Sequence, residues 1–474
     1  MAPTAWVGVD VGTSALKIAA FAPDGSVLAS YESPLRVDQP AEGRVEADPD
    51  TWLAAVQIGL ATVEGALGSV DVTGIGVTGQ MHGAVLVDAA GAAAGPAVLW
   101  PDRRAADQAE RWAGLPAGVL ARVGGPWSPG MTGPVLGWLA AHDPGRLARA
   151  ERVLLAKDWI RLRLTGALVD AAATDLSDAS ATLLWDAVAG EWSPDAVAAA
   201  TVDPGLLPGV VASDNVVGRW SPAAALVVAG AGDTPASLLA LERCVGGWQP
   251  GDQVVNLGTG AQVITPTVTA RPDAMESRHV LIDAGGGSYA MVAVQNAGLA
   301  TDWARAQLGL TWTAFRRAAE SAPAGAGGVL FAPYVSTERG ALAPIDGRSR
   351  PHWPGAAPTT AAGLLARAAV EAQVFMVRRA RELIGAEPGR VLLVGGGGRH
   401  RWVQQLLADC LQTPVERVEL GSAAAAGAAV LAAAGAGGAL ALTSPTVEIE
   451  PRPAQASADA YLRWRDAMYG AAPA

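Results

Sequence analysis

Cysteine, histidine and lysine are scarce in this sequence of 474 residues, and each shortage excludes a class of protein. Two cysteines, Cys244 and Cys410, are too few and too far apart for a disulfide framework or a zinc site, which favours a reducing environment. Five scattered histidines show no metal-ligand spacing. The net charge is −11 and the sequence contains no basic stretch, so a nucleic-acid partner is not expected. Lys17 and Lys157 are the only lysines, and they are candidates for specific roles because ammonium and guanidinium groups bind differently.

Long hydrophobic runs are lacking too, apart from residues 423–442, which carry no charge. These residues are almost all Ala and Gly, no basic cluster flanks them, and the glycines from Gly435 onward would break a helix. We predict a close-packed buried helix followed by a loop, and no membrane association. The start of the sequence lacks the basic and apolar segments of a secretory signal, so we expect a cytoplasmic protein.

Two common nucleotide-binding motifs are also missing. The P-loop pattern G-x-x-x-x-G-K-[ST] is absent from the sequence. The G-x-G-x-x-G match from Gly74 to Gly79 lies within a predicted strand and does not open a helix, so a dinucleotide-binding site is not indicated. With 57 glycines in the chain, such a match is expected by chance.

A strand followed by a Gly-Thr turn occurs twice, at residues 7–14 and 254–260, about half the chain apart. This repetition predicts a duplicated α/β domain with its boundary near residues 242–251. A further unit of strand 391–394, glycines 395–398 and helix 402–411 lies in the second half. Glycine turns at strand ends in two α/β domains predict a ligand in the cleft between them.

The segment from Asp10 to Lys17 carries groups suited to phosphate. Gly12, Thr13 and Ser14 offer backbone N–H groups and hydroxyls, Lys17 adds a positive charge, and Asp10 at a strand end could hold Mg²⁺ through water. The alternative is an ordinary hairpin turn.

Asp233 and two polar clusters complete the set of candidates. Asp233 lies between a strand and a helix, where it could accept a hydroxyl proton or simply cap the helix N-terminus. The turn from Gln80 to His82 fits a small polyol site, and the segment from Trp100 to Arg104 places an aromatic plate beside a charged pair.

In their order along residues 5–435 these segments resemble the FGGY carbohydrate kinases, and among them bacterial xylulokinases. The matching pieces are residues 9–14, 79–83, 100–104, 130–138, 154–158, 174–178, 230–233, 257–260, 333–339 and 395–398. The resemblance implies two actin-like (ribonuclease H-like) α/β domains flanking a central cleft. It implies a sugar-binding domain over 1–244, an ATP-binding domain over 245–440 and a C-terminal tail over 441–474.

The resemblance also implies an ATP-dependent kinase that converts D-xylulose to D-xylulose 5-phosphate, since glycerol-type kinases carry a different sequence where this chain has Gly-Gln-Met-His-Gly. Asp233 would be the general base, Asp10 the second catalytic residue, and both would hold Mg²⁺. The residues assigned to the sugar are Gln80, Met81, His82, Trp100, Asp102, Arg104 and Asp233. Those assigned to ATP are Gly12, Thr13, Ser14, Lys17, Gly258, Thr259, Gly260, Gly396 and Gly397.

Two departures from the family pattern concern the site. Val135 replaces a lysine, and Thr234-Pro235 follows the base in place of Asn-Ala. The alternatives are a kinase for ribulose, gluconate or a heptulose, and a non-catalytic actin-like sensor of ATP or sugar. A homodimer is a possible assembly.

Overall fold

The structure is a computed structural model that describes residues 3–267, 278–338, 340–347, 350–385, 389–453 and 455–470. The strands of the first half are β1 (Thr4–Val11), β2 (Ala15–Phe21), β3 (Val27–Pro34), β4 (Glu46–Ala47), β5 (Asp71–Gly79), β6 (Val85–Val87), β7 (Ala97–Val98), β8 (Arg152–Leu154), β9 (Ala173–Asp175), β10 (Trp185–Asp186), β11 (Glu191–Trp192), β12 (Gly209–Val211), β13 (Val216–Trp220), β14 (Ala225–Val228) and β15 (Ala231–Gly232). Its helices are α1 (Pro49–Leu67), α2 (Ala109–Ala113), α3 (Ala117–Arg122), α4 (Thr132–His142), α5 (Pro144–Leu147), α6 (Ala156–Thr165), α7 (Leu176–Ser180), α8 (Pro194–Ala200) and α9 (Asp233–Val245).

The second half repeats this alternation of strands and helices. Its strands are β16 (Gln253–Leu257), β17 (Ala261–Thr267), β18 (His279–Ile282), β19 (Ser288–Val294), β20 (Val391–Val394), β21 (Val415–Val418) and β22 (Thr446–Ile449). Its helices are α10 (Gly298–Gln307), α11 (Trp312–Ser321), α12 (Ala362–Ile384), α13 (Arg401–Leu411), α14 (Ala423–Gly435) and α15 (Gln455–Tyr469).

Within the described residues each half is built on a seven-stranded sheet, and the two sheets share the pairing of their central strands. In the first, β1 pairs antiparallel with β2 and parallel with β5, which pairs parallel with β14. In the second, β16 pairs antiparallel with β17 and parallel with β20, which pairs parallel with β21. The strand that precedes each Gly-Thr turn is therefore central in its sheet.

Local sequence signals explain the helix that follows the first hairpin. Asp48 caps α1 by accepting a hydrogen bond from the Asp50 N–H, and Pro49 occupies the first turn, where its missing N–H costs nothing. The helix ends at Gly68, whose φ of 62° favours glycine. The apolar residues Trp52, Val56 and Leu60 recur at helical spacing and are buried.

Helix α14 belongs to the second half but packs on the first sheet. A Cβ atom added at Gly8 of β1 would lie 1.8 Å from the backbone oxygen of Ala425, and one added at Gly76 of β5 would lie 2.0 Å from that of Ala428. Small residues on both sides allow this approach. The predicted buried helix in the Ala/Gly-rich segment is confirmed, and it ends at Gly435.

The segment expected as a tail joins the second sheet where it is described. Strand β22 pairs antiparallel with β21, and α15 buries Tyr461 and Trp464 in the core of the second half. Residues 454 and 471–474 of this segment lie outside the described residues. A search of the described residues for a helix long and apolar enough to cross a membrane finds none.

The contact of α14 with β5 gives a prediction for stability. Gly76→Ala should lower the free energy of unfolding by about 1–3 kcal/mol or more, because the methyl group cannot fit against the Ala428 carbonyl without moving backbone. Gly65→Ala is the matched control, since Gly65 is exposed on α1 with nothing near its added Cβ. It should raise stability by about 0.5–1 kcal/mol. Thermal or urea unfolding measures both, and equal effects would contradict the packing described.

Candidate active site

Asp10 and Asp233 flank the carboxyl end of β5. Thr78 of β5 is in register with Asp10 on one side and with Ala231 on the other, and Asp233 begins α9 two residues after Ala231. Burial, reinforced by the negative charge of Asp233, raises the pKa of Asp10 to about 7. Burial also raises the pKa of Asp233 to about 6. The two carboxylates therefore form one partly buried, electrostatically coupled pair.

This pair fits a divalent cation. Among the described residues, the buried Oδ1 atom of Asp10 has no hydrogen-bond partner. No cluster of three or more His, Cys, Asp or Glu side chains that could hold a metal is found in the described part of the chain. Mg²⁺ suits a site with one or two carboxylates, because it keeps several waters and takes phosphate oxygens as further ligands.

Asp233 does not cap its helix, so this alternative is wrong. Gly232 occupies the N-cap position and Asp233 is the first helical residue. Its Oδ1 atom accepts a hydrogen bond of 2.7 Å from the N–H of the next residue, Thr234. Pro235 has no N–H to offer a cap. The departure at Thr234-Pro235 thus leaves the carboxylate with a local backbone donor.

The turn from Gln80 to His82 follows β5 directly, and Thr13 and Trp100 contact it. Trp100 Nε1 donates to Thr13 Oγ1 at 2.9 Å, and Thr13 Oγ1 donates to Gln80 Oε1 at 3.3 Å. The Thr13 side chain, assigned above to ATP, therefore lies with two residues assigned to the sugar. The Nε2 atom of Gln80 is buried and has no partner among the described residues.

His82 adopts a φ of 63°, an uncommon value for a residue with a side chain. Its Nδ1 atom lies 2.6 Å from the carbonyl oxygen of Ala181, so Nδ1 carries a proton and donates it. In the neutral ring Nε2 is then the acceptor. Met81 is buried beside Gly232, and Tyr289 of the second sheet brings its hydroxyl 3.9 Å from the Met81 sulfur.

The side chains of Asp102 and Arg104 form hydrogen bonds and an ion pair with each other. Asp102 Oδ1 accepts from the backbone and Nε of Arg104 at 2.8 and 2.9 Å, and Oδ2 accepts from Nη2 of Arg104 at 2.8 Å and from the Val45 N–H at 2.6 Å. Arg104 also pairs with Glu46 at 2.6 Å. Both side chains are buried, so the pair ties strand β4 and the residue before it to the loop after β7. Their assignment to the sugar stays a prediction.

The departure at Val135 has a packing explanation. Val135 lies in α4 and is fully buried in a hydrophobic cluster with Trp112 and Leu136. An unpaired lysine ammonium in that cluster would be strongly unfavourable. Valine at position 135 therefore suits the apolar core around α4.

The glycine turns of the second half lie side by side. Gly258 N–H donates to Gly260 O at 2.8 Å, and the Thr259 carbonyl accepts from Leu299 at the start of α10 at 2.8 Å. A Cβ atom added at Gly397 would lie 2.9 Å from Leu257 O, so the 396–398 turn abuts the 258–260 turn. An added Cβ at Gly396 meets no atom within 4 Å, so this residue faces open space.

A buried charge cluster is the feature to which the sequence pattern assigned no role. Lys157 Nζ lies 2.6 Å from Asp158, 3.0 Å from Asp175 and 3.2 Å from Asp178, and all four side chains are almost fully buried. Arg161 adds a second positive charge 3.5 Å from Asp158. The scarcity of lysine singles out Lys157, but its carboxylate partners depend on the fold.

Residues 5–240 match the N-terminal domain of the FGGY family of carbohydrate kinases, and residues 254–436 match the C-terminal domain of the same family. The chain belongs to this family.

Curated relatives agree with this membership. A xylulose kinase of Klebsiella pneumoniae is 31% identical over 85% of this chain and 84% of the relative. A glycerol kinase of Gloeobacter violaceus is also 31% identical, over 87% and 84%. The crystal structure of a xylulose kinase from Brucella ovis is 30% identical and superimposes with a TM-score of 0.88 over 97% of this chain and 98% of that one.

The FGGY membership settles class and fold. The protein is a carbohydrate kinase, a phosphotransferase that uses ATP as donor, as predicted, and not the non-catalytic sensor considered as an alternative. The predicted two-domain, actin-like α/β fold is confirmed by the match to solved kinases along nearly the whole chain. Xylulose and glycerol kinases occur among the relatives at similar identity, so membership leaves the acceptor sugar open.

Proposed function

We propose that this FGGY kinase phosphorylates D-xylulose at O5, with ATP as donor, Mg²⁺ as cofactor and Asp233 as general base. The observation that carries the proposal is the coupled pair of Asp10 and Asp233 at the end of β5, next to a polar turn. Asp233 accepts one backbone hydrogen bond and keeps further lone pairs for a substrate hydroxyl. Its raised pKa makes it a better proton acceptor than an exposed carboxylate.

The reaction depends more on the positions of the reacting groups than on the strength of the base. Phosphoryl transfer to an alcohol passes through a largely dissociative transition state, so the hydroxyl proton moves late, to Asp233. Backbone N–H groups of the Gly12 and Gly258 turns would stabilise charge on the transferred group. Mg²⁺ held by Asp10 and Asp233 would offset the negative charge of the phosphates. Closure of the two domains would exclude water and suppress ATP hydrolysis.

The choice of xylulose rests on the turn after β5. Gln80 Nε2 is a buried donor with no partner in the described part of the chain, and His82 adds a polar ring to the same turn. Together they match the alternating carbonyl and hydroxyl groups of a ketose. The extent of the similarity to xylulose kinases, one of them along nearly the whole chain, supports the same sugar.

ATP is placed against the second half. The turns at 258–260 and 396–398 adjoin at the ends of the neighbouring strands β16 and β20, with open space at Gly396. We assign the phosphates to the Gly12-Thr13 and Gly258-Thr259 turns and the adenosine to Gly396 and Gly397. Cytoplasmic localisation and a homodimer stay predictions.

A substrate panel tests the acceptor. With ADP release as readout, kcat/KM for D-xylulose should exceed that for ribulose, gluconate, a heptulose and glycerol by about tenfold or more, because a site built to pair ketose oxygens leaves buried groups unpaired with other acceptors. Glycerol belongs in the panel because glycerol kinases are among the relatives. A higher kcat/KM for any other acceptor would replace xylulose by that sugar or polyol.

Asp233→Asn tests the base. The amide keeps an acceptor for the Thr234 N–H but removes the basic site, so kcat should fall about 10²–10⁴-fold while xylulose still binds. The melting temperature should not fall, because a buried negative charge beside Asp10 is removed. Asp50→Asn, an acidic residue in the first turn of α1, is the matched control and should leave kcat unchanged. A kcat of Asp233→Asn within a few-fold of wild type would exclude Asp233 as base.

Gly396→Leu tests the nucleotide placement. The added side chain enters open space, so the fold should hold, but it would occupy the volume assigned to adenosine. We expect the KM for ATP to rise by about tenfold or more, equivalent to about 1.4 kcal/mol of lost binding, with little change in the KM for sugar. Gly65→Leu, equally open but on α1, should change neither. A larger rise in the KM for sugar would contradict the placement.

A further inference from the structure

Ser177 connects the buried charge cluster to the residue before the proposed base. Its Oγ atom donates to Asp175 Oδ2 at 2.6 Å and accepts a hydrogen bond of 3.0 Å from the N–H of Gly232. Ser177 lies in the first turn of α7 and is fully buried. A single hydroxyl thus links α7 to the peptide that leads into Asp233.

The charge of Asp175 fixes the direction of this hydroxyl. Burial by itself would raise the pKa of Asp175, but Lys157, Ser177 and Ser213 together lower it, so the carboxyl group is ionised. An ionised carboxylate accepts hydrogen bonds and donates none. The Ser177 proton must therefore point at Asp175, which leaves a lone pair of Oγ to accept the Gly232 N–H.

Gly232 lies in a two-residue strand and in a tightly packed place. Strand β15 consists of Ala231 and Gly232 alone and pairs with β5 through these two residues. No side chain fits at Gly232, since an added Cβ would lie 2.6 Å from Met81 Cγ and 3.0 Å from Asp178 Oδ1. The position of the Asp233 carboxylate thus depends on the orientation of the Gly232 peptide.

We propose that Ser177 is a positioning residue for the catalytic carboxylate of Asp233, and that the Lys157–Asp175 ion pair keeps its hydroxyl in the accepting orientation. The proposal rests on the proposed function only in taking Asp233 as the base. Ser177 is buried and bonded to the Gly232 backbone, and we assign it no contact with sugar or nucleotide.

Ser177→Ala is the test. Loss of the hydroxyl leaves the Gly232 N–H without its partner, and misplacement of a reacting group by about 1 Å can cost about 10²-fold in rate. We expect kcat to fall about 10- to 100-fold, while the KM values for sugar and ATP change less than about threefold, because only the reacting step depends on this alignment.

Ser213→Ala is the matched control. Ser213 is a buried serine whose hydroxyl donates to the same Asp175 Oδ2 atom at 2.8 Å, but this hydroxyl does not bond Gly232. It should lower the melting temperature about as much as Ser177→Ala and leave kcat within about twofold of wild type. If both variants lowered kcat equally, Ser177 would be structural and the proposal wrong.

A double-mutant cycle separates this proposal from the identity of the base. If Ser177 acts through Asp233, Ser177→Ala should lower the residual kcat of Asp233→Asn by less than about twofold, because the group it positions is gone. Full additivity of the two losses would overturn the positioning role. Failure of the proposed base has a different signature, namely an Asp233→Asn variant that works normally by itself.

Ser177→Cys covers the case in which Ser177→Ala does not fold. The thiol is larger than the hydroxyl, so it leaves no cavity, and it is a weak acceptor, so the same loss of kcat at unchanged KM is expected. A folded Ser177→Cys with wild-type kcat would also refute the proposal.

Discussion

Close backbone contacts at glycines hold the Ala/Gly-rich helix α14 against the first half of the chain. Ala425 and Ala428 of α14 press on Gly8 and Gly76, and Gly427 of α14 presses on the backbone oxygen of Ala236 in α9. Each contact is closer than any Cβ would permit. The glycines lose more conformational freedom on folding than other residues would, so this packing must compensate for their entropy.

The position of the site follows from these contacts. Gly8 lies two residues before Asp10, Gly76 lies shortly before the polar turn at Gln80, and Ala236 lies in the first turn of the helix that Asp233 begins. A helix from the second half thus fixes the positions of three chain segments of the first half relative to one another. A shift of α14 would move the two carboxylates and the polar turn relative to one another.

The two sheets differ in the charge of the residues beside their Gly-Thr turns. Asp10 faces Lys17 across the β1–β2 hairpin, whereas the corresponding residues of the second half, Asn256 and Gln262, are amides joined by a hydrogen bond of 3.1 Å. The first turn therefore carries a carboxylate and an ammonium, and the second is neutral. The second turn, to which we assign phosphates, therefore carries no negative side chain at these two positions.

Local features of the fold were predictable from the sequence, because they depend on neighbouring residues. The strands before the Gly-Thr turns, the buried α14 and the repeat follow from short patterns of apolar and small residues. Partners far apart in the chain were not predictable. Ser177 meets the Gly232 N–H across 55 residues, and Arg104 meets Glu46 of strand β4 across 58 residues. Contacts between residues far apart in the sequence are set by the topology of the fold, and short sequence patterns do not reveal them.

The same helix that positions Gly232 also contacts the rest of the site. The carbonyl of Ala181, at the end of α7, accepts from His82, and Ser180 Oγ accepts from the N–H of Ile282 on the edge strand β18 of the second sheet at 3.0 Å. Tyr289 of the same sheet reaches Met81. A rotation of the second sheet about these contacts would change the distance between the two glycine turns. It would leave His82 and Gly232, the residue before Asp233, in place relative to α7, because His82 bonds Ala181 just after that helix and Gly232 bonds Ser177 within it. The position of Gly232 and the spacing of the two glycine turns therefore depend on different sets of contacts, so the two turns can approach each other without displacing the residue that precedes Asp233.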